Sequence, residues 1–256
     1  MSAVPAAQAP PDDVVLRARD VHHAYDGSPA LLGVSLDVRR GEVVTVTGPR
    51  GSGKTTLLRC LAGQLRPQRG EIWFDGVPLH ELPPVARDRL RRSRFGWIGS
   101  EPQLVPELTA WENAALPLLL AGSGHRAARR AAQEWLERLD VGDCALERPA
   151  DLLQGQRQRV ALARALAHQP VLLFADEPTA PLHRADRAQV LRTVTAAARS
   201  HHITVLLATH DVAVTSADVR AGAAAADRVV TLADGRRTDS HPALDTEDTA
   251  PCSVSA

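Results

Sequence analysis

The sequence GPRGSGKT, at residues 48–55, combines three glycines with the only lysine of the chain. It matches G-x-x-x-x-G-K-[ST], a loop pattern whose glycines let backbone N–H groups converge on phosphate oxygens. Lys54 can then reach the β- and γ-phosphates, and the Thr55 hydroxyl can join a Mg²⁺ ion. The pattern predicts a site for a nucleoside triphosphate with Mg²⁺. The residues expected to form it are Gly48, Pro49, Arg50, Gly51, Ser52, Gly53, Lys54, Thr55 and Thr56.

The lone lysine is informative because the other 29 basic residues are all arginines. A bias towards Arg and Ala is what genome composition alone can produce, so the arginines as a group indicate no function. Lys54 is the one basic residue, apart from the histidines, that does not follow this bias. A compact ammonium fits a tight site that a planar guanidinium, with its spread charge, does not. We therefore expect the chemistry at this position to exclude Arg.

Two adjacent carboxylates, Asp176 and Glu177, follow the apolar run VLLFA at residues 171–175. Such a run is typical of a buried parallel strand, and ligands of open α/β sheets bind at the carboxyl ends of the strands. Hydrolysis of a phosphoanhydride needs one carboxylate for the metal and one for the attacking water. The pair is predicted to divide these two tasks. The alternative is that both are surface acids at a strand end.

A third apolar run, TVLLA at residues 204–208, precedes Thr209 and His210. Taken alone, a histidine here is an ordinary polar residue. Parallel strands end at the same edge of a sheet, so His210 would lie near the phosphate loop and the carboxylates. We therefore predict that it belongs to the same site.

The flanking sequence indicates the elements that position these residues. The β-branched run VVTVT at 43–47 predicts a strand before the loop, and the residues after Gly53 predict the start of a helix. That helix would add the positive end of its dipole to the phosphate site. A chain of 256 residues with 44% hydrophobic residues fits one large α/β domain with a sizeable core.

Composition excludes several classes of protein. Acidic and basic residues balance at 30 each, so no global charge points to nucleic acid. Three distant cysteines have no metal-binding spacing and indicate a reduced, cytosolic compartment. No apolar run approaches the roughly 20 residues that cross a bilayer. The first residues also lack the pattern of a secretory signal.

Taken in order, these motifs resemble those of the ATP-binding subunit of an ABC transporter, and the resemblance covers residues 14–237. Within that family, the chain most resembles the subunits that serve exporters of macrolide or lipoprotein-release type. The resemblance identifies residues 48–55 with the Walker A loop. It identifies Asp176 and Glu177 with the Walker B aspartate and catalytic glutamate, and His210 with the switch histidine. The only tyrosine, Tyr25, resembles the aromatic residue that stacks on adenine in this family.

A further motif, DLLQGQRQRVALARAL at residues 151–166, resembles the family's LSGGQQQRVAIARAL signature helix. In the family, this segment closes over the ATP held by a second subunit. Here Leu153 replaces the signature Ser and Gln154 the first Gly, whereas Gly155 and Gln156 match. The change also places an apolar residue where a helix usually has an N-cap oxygen. Losing one hydrogen bond to a charged group costs about 1.5–3 kcal/mol, so closure should weaken rather than disappear.

Two more positions depart from the family. Ser100 stands where the Q-loop glutamine is expected, unless a shifted loop brings Glu101 or Gln103 there. His183 replaces the aspartate of the D-loop. These departures, like those of the signature, fall on surfaces that face a partner chain in the family. The residues that would hold ATP within this chain match.

The resemblance implies a P-loop NTPase fold of the α/β class, with a mainly parallel sheet, an antiparallel β edge and an inserted helical sub-domain. We expect the domain to span residues 14–237 and the helical sub-domain about 100–167. Residues 1–13 are expected to be a disordered arm, and 238–256 a disordered tail.

The function implied is ATP hydrolysis with Mg²⁺ that drives transport through a separate transmembrane permease subunit. Tyr25 would stack on adenine, Thr55 and Asp176 would bind Mg²⁺, Glu177 would polarise water and His210 would steady the γ-phosphate. We expect a second ATP-binding subunit, a heterodimer being favoured over a homodimer, and a cytoplasmic location on the inner face of the membrane. Alternatives are an ATP-dependent clamp with little turnover and a soluble ABC protein of translation or DNA repair. The second usually carries two cassettes in one chain or a long coiled-coil insert, and neither pattern is visible in this sequence.

Overall fold

The computed structural model describes residues 11, 13–180, 182–210 and 226–239. The strands within these residues are β1 (Val14–Tyr25), β2 (Ser28–Arg39), β3 (Val43–Thr47), β4 (Arg69–Phe74), β5 (Val77–Pro78), β6 (Phe95–Ile98), β7 (Leu172–Asp176), β8 (Thr204–Thr209), β9 (Arg228–Ala233) and β10 (Arg236–Arg237). The helices are α1 (Lys54–Leu61), α2 (Pro84–Arg94), α3 (Ala110–Leu120), α4 (His125–Arg138), α5 (Gln154–Leu166) and α6 (Arg184–His201), with a short 3-10 helix at Gly142–Cys144.

The strands form two sheets. The first has four antiparallel strands in the order β2-β1-β4-β5. The second has six strands in the order β10-β9-β3-β8-β7-β6, and all its neighbours are parallel except β9 and β10. Three helices, α3 to α5, lie between β6 and β7 in the chain, and α3 packs against both others. The predicted P-loop NTPase fold class is confirmed.

The apolar runs predicted as strands are buried on both faces. Alternate residues of β7 point to opposite sides, because successive side chains of a strand do so. Leu172 and Phe174 join a core with α1 and the antiparallel sheet. Leu173 and Ala175 join a second core with the helices of the other side. The parallel sheet is thus the middle layer between two hydrophobic cores.

The register of the parallel strands aligns the ends that carry the candidate site. Thr47 at the end of β3 pairs with Thr209 at the end of β8. Asp176 at the end of β7 pairs with Ala208 of β8. The phosphate loop, the two carboxylates and His210 therefore leave the sheet at one edge, although they are far apart in sequence.

Two residues next to the boundaries expected from sequence make hydrogen bonds with the domain. Oδ1 of Asp239 accepts a hydrogen bond from the Thr231 N–H at 3.0 Å. The Asp239 carboxylate also forms an ion pair with Arg237. The backbone carbonyl of Asp13 accepts a bond from Arg40 at 3.0 Å. Hydrogen bonds thus extend to Asp13 and Asp239, at the inner ends of the predicted arm and tail, and the domain boundaries stay a prediction. The rest of both predicted segments, residues 1–10, 12 and 240–256, lies outside the described residues.

Candidate nucleotide-binding site

A cavity of about 550 Å³ opens at the carboxyl edge of the parallel sheet. Its wall combines residues from the phosphate loop, from the ends of β1, β7 and β8, and from the segment after β6. Those predicted from sequence that line it are Tyr25, Arg50, Gly51, Gly53, Lys54, Thr55, Thr56, Glu177 and His210.

The phosphate loop is held so closely that two of its positions accept only glycine. Gly48 has φ 146° and Gly53 φ 98°, a region that side chains rarely adopt. A Cβ on Gly48 would lie 2.1 Å from the carbonyl oxygen of Leu232, and one on Gly53 2.4 Å from that of Ala30. The loop backbone is therefore pressed between β2 and β9. This directs the N-terminus of α1, which begins at Lys54, towards the cavity.

Lys54 is buried beneath the loop with 6% of its surface exposed. Its Nζ donates to the carbonyl oxygens of Gly48 at 2.8 Å and Pro49 at 2.9 Å. Burial lowers the pKa of the ammonium, and the nearby carboxylates of Glu177 and Asp176 partly oppose that shift. An ammonium held by carbonyl oxygens in this space can turn towards phosphate oxygens, whereas a guanidinium would not fit between them.

Thr55 and Asp176 form the candidate Mg²⁺ position. The Thr55 hydroxyl donates to Oδ1 of Asp176 at 3.0 Å. Asp176 is 8% exposed, and burial raises the pKa of its carboxyl while the Thr55 hydrogen bond opposes that shift. A hydroxyl and a carboxylate are hard oxygen ligands, which Mg²⁺ prefers along with water and phosphate oxygens. The two residues fit this ion, and bound Mg²⁺ would neutralise charge on the phosphates.

Glu177 and His210 are in direct contact. Nδ1 of His210 lies 2.8 Å from Oε1 of Glu177. The Glu177 backbone has φ 52°, a strained conformation for this residue, and its N–H donates to Ala208 at 2.9 Å. Strain of this kind is concentrated at functional sites, where the surroundings hold it in place. A carboxylate fixed at the cavity wall is suited to accept a proton from water.

Tyr25 ends β1 at the side of the cavity. Its side chain is exposed at 44%, and its hydroxyl lies 3.5 Å from Oγ1 of Thr56. The His23 and Tyr25 rings pack in a T-shaped arrangement, with centroids 4.8 Å apart. An exposed aromatic ring so held can stack on a planar base.

Of the three candidates for the Q-loop position, Ser100 lines the cavity, whereas Glu101 and Gln103 do not. Gln103 instead bonds through its backbone carbonyl to Arg164 at 2.9 Å. Of the three candidates, Ser100 is thus the one whose short hydroxyl side chain borders the cavity, and its assignment to the Q-loop position stays a prediction.

The signature segment lies away from this cavity, at the start of α5. Leu153 precedes the helix and is 72% exposed. Oε1 of Gln156 accepts the Leu153 N–H at 2.7 Å, which satisfies that donor but does not replace the N-cap oxygen that would accept a helix N–H. The same side chain donates to Sγ of Cys144 at 3.1 Å. The apolar N-cap thus leaves the helix start intact but presents a hydrocarbon side chain to its surroundings.

Our sequence interpretation missed Gln158, which contacts the segments on both sides of the cavity. Its side chain bonds the backbone of Gly99 and Pro178 and is 1% exposed. A signal was present in the sequence. With helical spacing, Gln158 falls on the same face as the apolar residues Ala161 and Leu162, where an amide needs a polar partner.

Fold and site together define a P-loop ATP-binding cassette with a candidate magnesium position and a candidate catalytic glutamate. The family model described as ABC transporter matches residues 31–180. The chain belongs to this family, as an ATP-binding subunit, and resembles the lipoprotein-release type that we expected.

Named relatives and solved structures agree with this assignment. An uncharacterized ABC transporter ATP-binding protein of Mycobacterium tuberculosis is 45% identical over 73% of this chain, which spans only 57% of that longer relative. A lipoprotein-releasing system ATP-binding protein of Caulobacter vibrioides is 39% identical over 87% of this chain and 96% of its own length. The dimeric structure of the cassette MJ0796 with ADP and Pi has a TM-score of 0.80 and 30% identity, covering 88% of this chain and 97% of that one.

Proposed function

We propose that this chain binds and hydrolyses Mg-ATP and so energises transport through a separate transmembrane subunit. The observation that carries the proposal is the contact between Thr55 and Asp176 at 3.0 Å beside the buried Lys54. A metal position and a phosphate-binding cation are thereby adjacent in one cavity. This is the arrangement that phosphoryl transfer requires.

Each residue has a distinct role in this proposal. Lys54 and backbone N–H groups of the phosphate loop bind the phosphates, and the ring of Tyr25 stacks on adenine. Glu177 accepts a proton from the attacking water, and His210 first orients that carboxylate and then steadies the γ-phosphate. Since these groups are positioned before the reaction, catalysis rests on orientation and charge rather than on covalent chemistry.

The transmembrane partner is proposed to dock on an apolar groove of about 380 Å³ next to α2. Trp97, Leu116 and Leu120 line it, and Leu120 is 72% exposed. Arg89 and Arg92 lie at the same groove. An amphipathic segment with apolar residues and a carboxylate would match both features. The subunit would then work in the cytoplasm, attached to the inner face of the membrane through its permease.

A second ATP-binding subunit is part of the proposal, and we favour a different chain over a second copy. A solved structure similar to this chain, the cassette MJ0796, is dimeric. In a homodimer, Leu153 and Gln154 would cover both nucleotides, and both sites would be slow. In a heterodimer, a partner with the usual signature would cover the ATP held here. The substitutions would then affect only the partner's nucleotide.

The exposed Leu153 also favours a second candidate, a nucleotide-dependent clamp that dimerises with little turnover.

Measuring ATP hydrolysis distinguishes the transport ATPase from the clamp. The purified chain, alone and with a candidate second cassette and permease, would be assayed for ATP binding and phosphate release with and without Mg²⁺. Transport coupling predicts Mg²⁺-dependent release that rises with the partners. Binding without release in every mixture would favour the clamp, and absence of ATP binding would contradict both.

A further inference from the structure

One side chain joins the two segments that flank the candidate site. Gln158 lies in α5, and its Nε2 donates to the carbonyl oxygens of Gly99 and Pro178, each at 2.8 Å. Gly99 directly precedes Ser100, and Pro178 directly follows Glu177. Since β6 and β7 are adjacent parallel strands, a single amide bridges the segments that leave their ends and ties both to the signature helix.

The chemistry of the contacts determines which way the amide points. Both neighbours of Nε2 are carbonyl oxygens, which accept and cannot donate. A rotated amide would place Oε1 against two acceptors. An amide NH₂ is a neutral group that supplies two donors from one atom, so Gln can form the double bridge without a charge. The neutral amide also avoids burying a charge at a position that is 1% exposed.

The other end of the amide shows that Gln158 is not retained for packing alone. Its Oε1 is buried and has no hydrogen-bond partner among the described residues. An unsatisfied buried oxygen is unfavourable, and a methionine or leucine of similar size would avoid it. Retaining the amide despite this penalty indicates that the two donated hydrogen bonds serve a purpose.

The segment after Glu177 has reason to need such a tie. Glu177 has φ 52°, and the following proline further restricts the backbone conformations open to it. A strained backbone persists only where its surroundings hold it. The bond to the Pro178 carbonyl holds the residue that follows the strained position, while the bond to Gly99 holds the residue before Ser100.

We propose that Gln158 is a positioning residue that fixes Ser100 and Glu177 relative to each other and links both to the start of α5. This inference rests on the proposed hydrolysis at Glu177. It assigns no contact with nucleotide to Gln158. A movement of the signature helix would be passed to the segment that follows the carboxylate by the bond to Pro178, in addition to the apolar packing of α5 on the sheet.

The sharpest test is Gln158→Glu, which keeps the size and changes the protonation. An ionised carboxylate would face two carbonyl oxygens, whereas the neutral acid would keep one donor. Burial and the acceptor-only surroundings should raise the pKa of the new carboxyl. We expect single-turnover hydrolysis to fall about ten-fold near pH 8 and to recover towards about pH 6, relative to wild type. ATP affinity should be unchanged.

Gln158→Met and Gln64→Glu complete the set. Gln158→Met removes both donors and should lower turnover about ten-fold at every pH, with no recovery on acidification. Gln64→Glu makes the same chemical change at an exposed position after α1 and should match wild type. Ionisable groups on the neighbouring segments, Lys54, Asp176, Glu177, His210 and Glu101, are present in every variant. Each rate is therefore expressed relative to wild type at the same pH.

Each result decides for or against the inference. A Gln158→Glu profile parallel to wild type, or full activity of Gln158→Met, would overturn it. If thermal melting shows that both variants no longer fold, Gln158 is a structural residue and the inference is wrong. Absence of hydrolysis by wild type, or full hydrolysis by Glu177→Gln, would instead contradict the proposed function on which it rests.

Discussion

The hydroxyl of Thr55 donates to a carboxylate oxygen of Asp176 at 3.0 Å, although 121 residues separate the two in sequence. The contact joins the first turn of α1 to the end of β7, and so brings the phosphate loop to the carboxylates. It also sets two oxygen ligands side by side where Mg²⁺ would accompany the phosphates. Four predictions test the site built around this contact.

Lys54→Ala and Lys54→Arg should both weaken ATP binding. The ammonium would make charge-assisted hydrogen bonds worth about 1.5–3 kcal/mol each, so we expect a loss on the order of a hundred-fold. Arg should not rescue it, because Lys54 lies beneath the loop with 6% exposure and a guanidinium would displace the carbonyls that hold it. Equilibrium binding of ATP measures the effect. The control is Arg130→Lys, which exchanges the same two residue types at an exposed position. If Lys54→Arg bound ATP with wild-type affinity, the argument from the lone lysine would be contradicted.

Glu177→Gln should keep ATP bound and nearly stop turnover. The amide preserves size but cannot accept a proton from water, and a general base contributes about 10²–10⁴-fold to such reactions. Binding and phosphate release measured on the same preparation separate the two effects. Glu134→Gln, on the exposed surface of α4, should behave like wild type. If Glu177→Gln hydrolysed ATP normally, Glu177 would lose its proposed role.

Restoring the signature by Leu153→Ser with Gln154→Gly should speed hydrolysis by the chain alone. One regained hydrogen bond to a charged phosphate corresponds to a gain of about ten- to a hundred-fold. Leu146→Ser replaces another exposed leucine, 70% exposed, and should not have this effect. The assay is ATP hydrolysis as a function of protein concentration. Brisk, cooperative hydrolysis by the unmodified chain without a partner would exclude the asymmetric heterodimer.

Asp176→Asn should stabilise the fold while removing the Mg²⁺ dependence of ATP binding. Burial raises the folded-state pKa of Asp176, so the folded chain binds more protons than the unfolded chain. This group therefore favours folding below its unfolded pKa, and that contribution is lost as pH rises through the higher folded pKa. Asn cannot ionise, so the variant does not lose this stability as the pH rises.

The melting temperature of Asp176→Asn, measured without nucleotide, should therefore equal that of wild type near pH 4 and exceed it at pH 7, by about 2–4 °C for each kcal/mol recovered. Asp143→Asn, at an exposed position, is the matched control. A variant less stable than wild type at pH 7 would show that ionised Asp176 supports the fold.

Local patterns let sequence alone predict the P-loop, the apolar strands and the fold class. The phosphate loop is recognisable because its glycines, Lys54 and Thr55 lie within eight residues, and their spacing follows from backbone geometry. Strands buried on both faces are recognisable as continuous apolar runs. Asp176, Glu177 and His210 could be assigned to one edge because parallel strands end together.

Long-range contacts were decided only by the tertiary structure. The pairing of Glu177 with His210, the left-handed backbone of Glu177 and the bridge made by Gln158 depend on how strands and α5 pack, which no local spacing specifies. The start of α5 is a further case. Sequence showed that Leu153 offers no cap, but only the folded chain shows Gln156 bonding its N–H and the leucine left exposed. Hydrogen-bond partners are selected by proximity in space, and that proximity arises from burial of the two cores rather than from order along the chain.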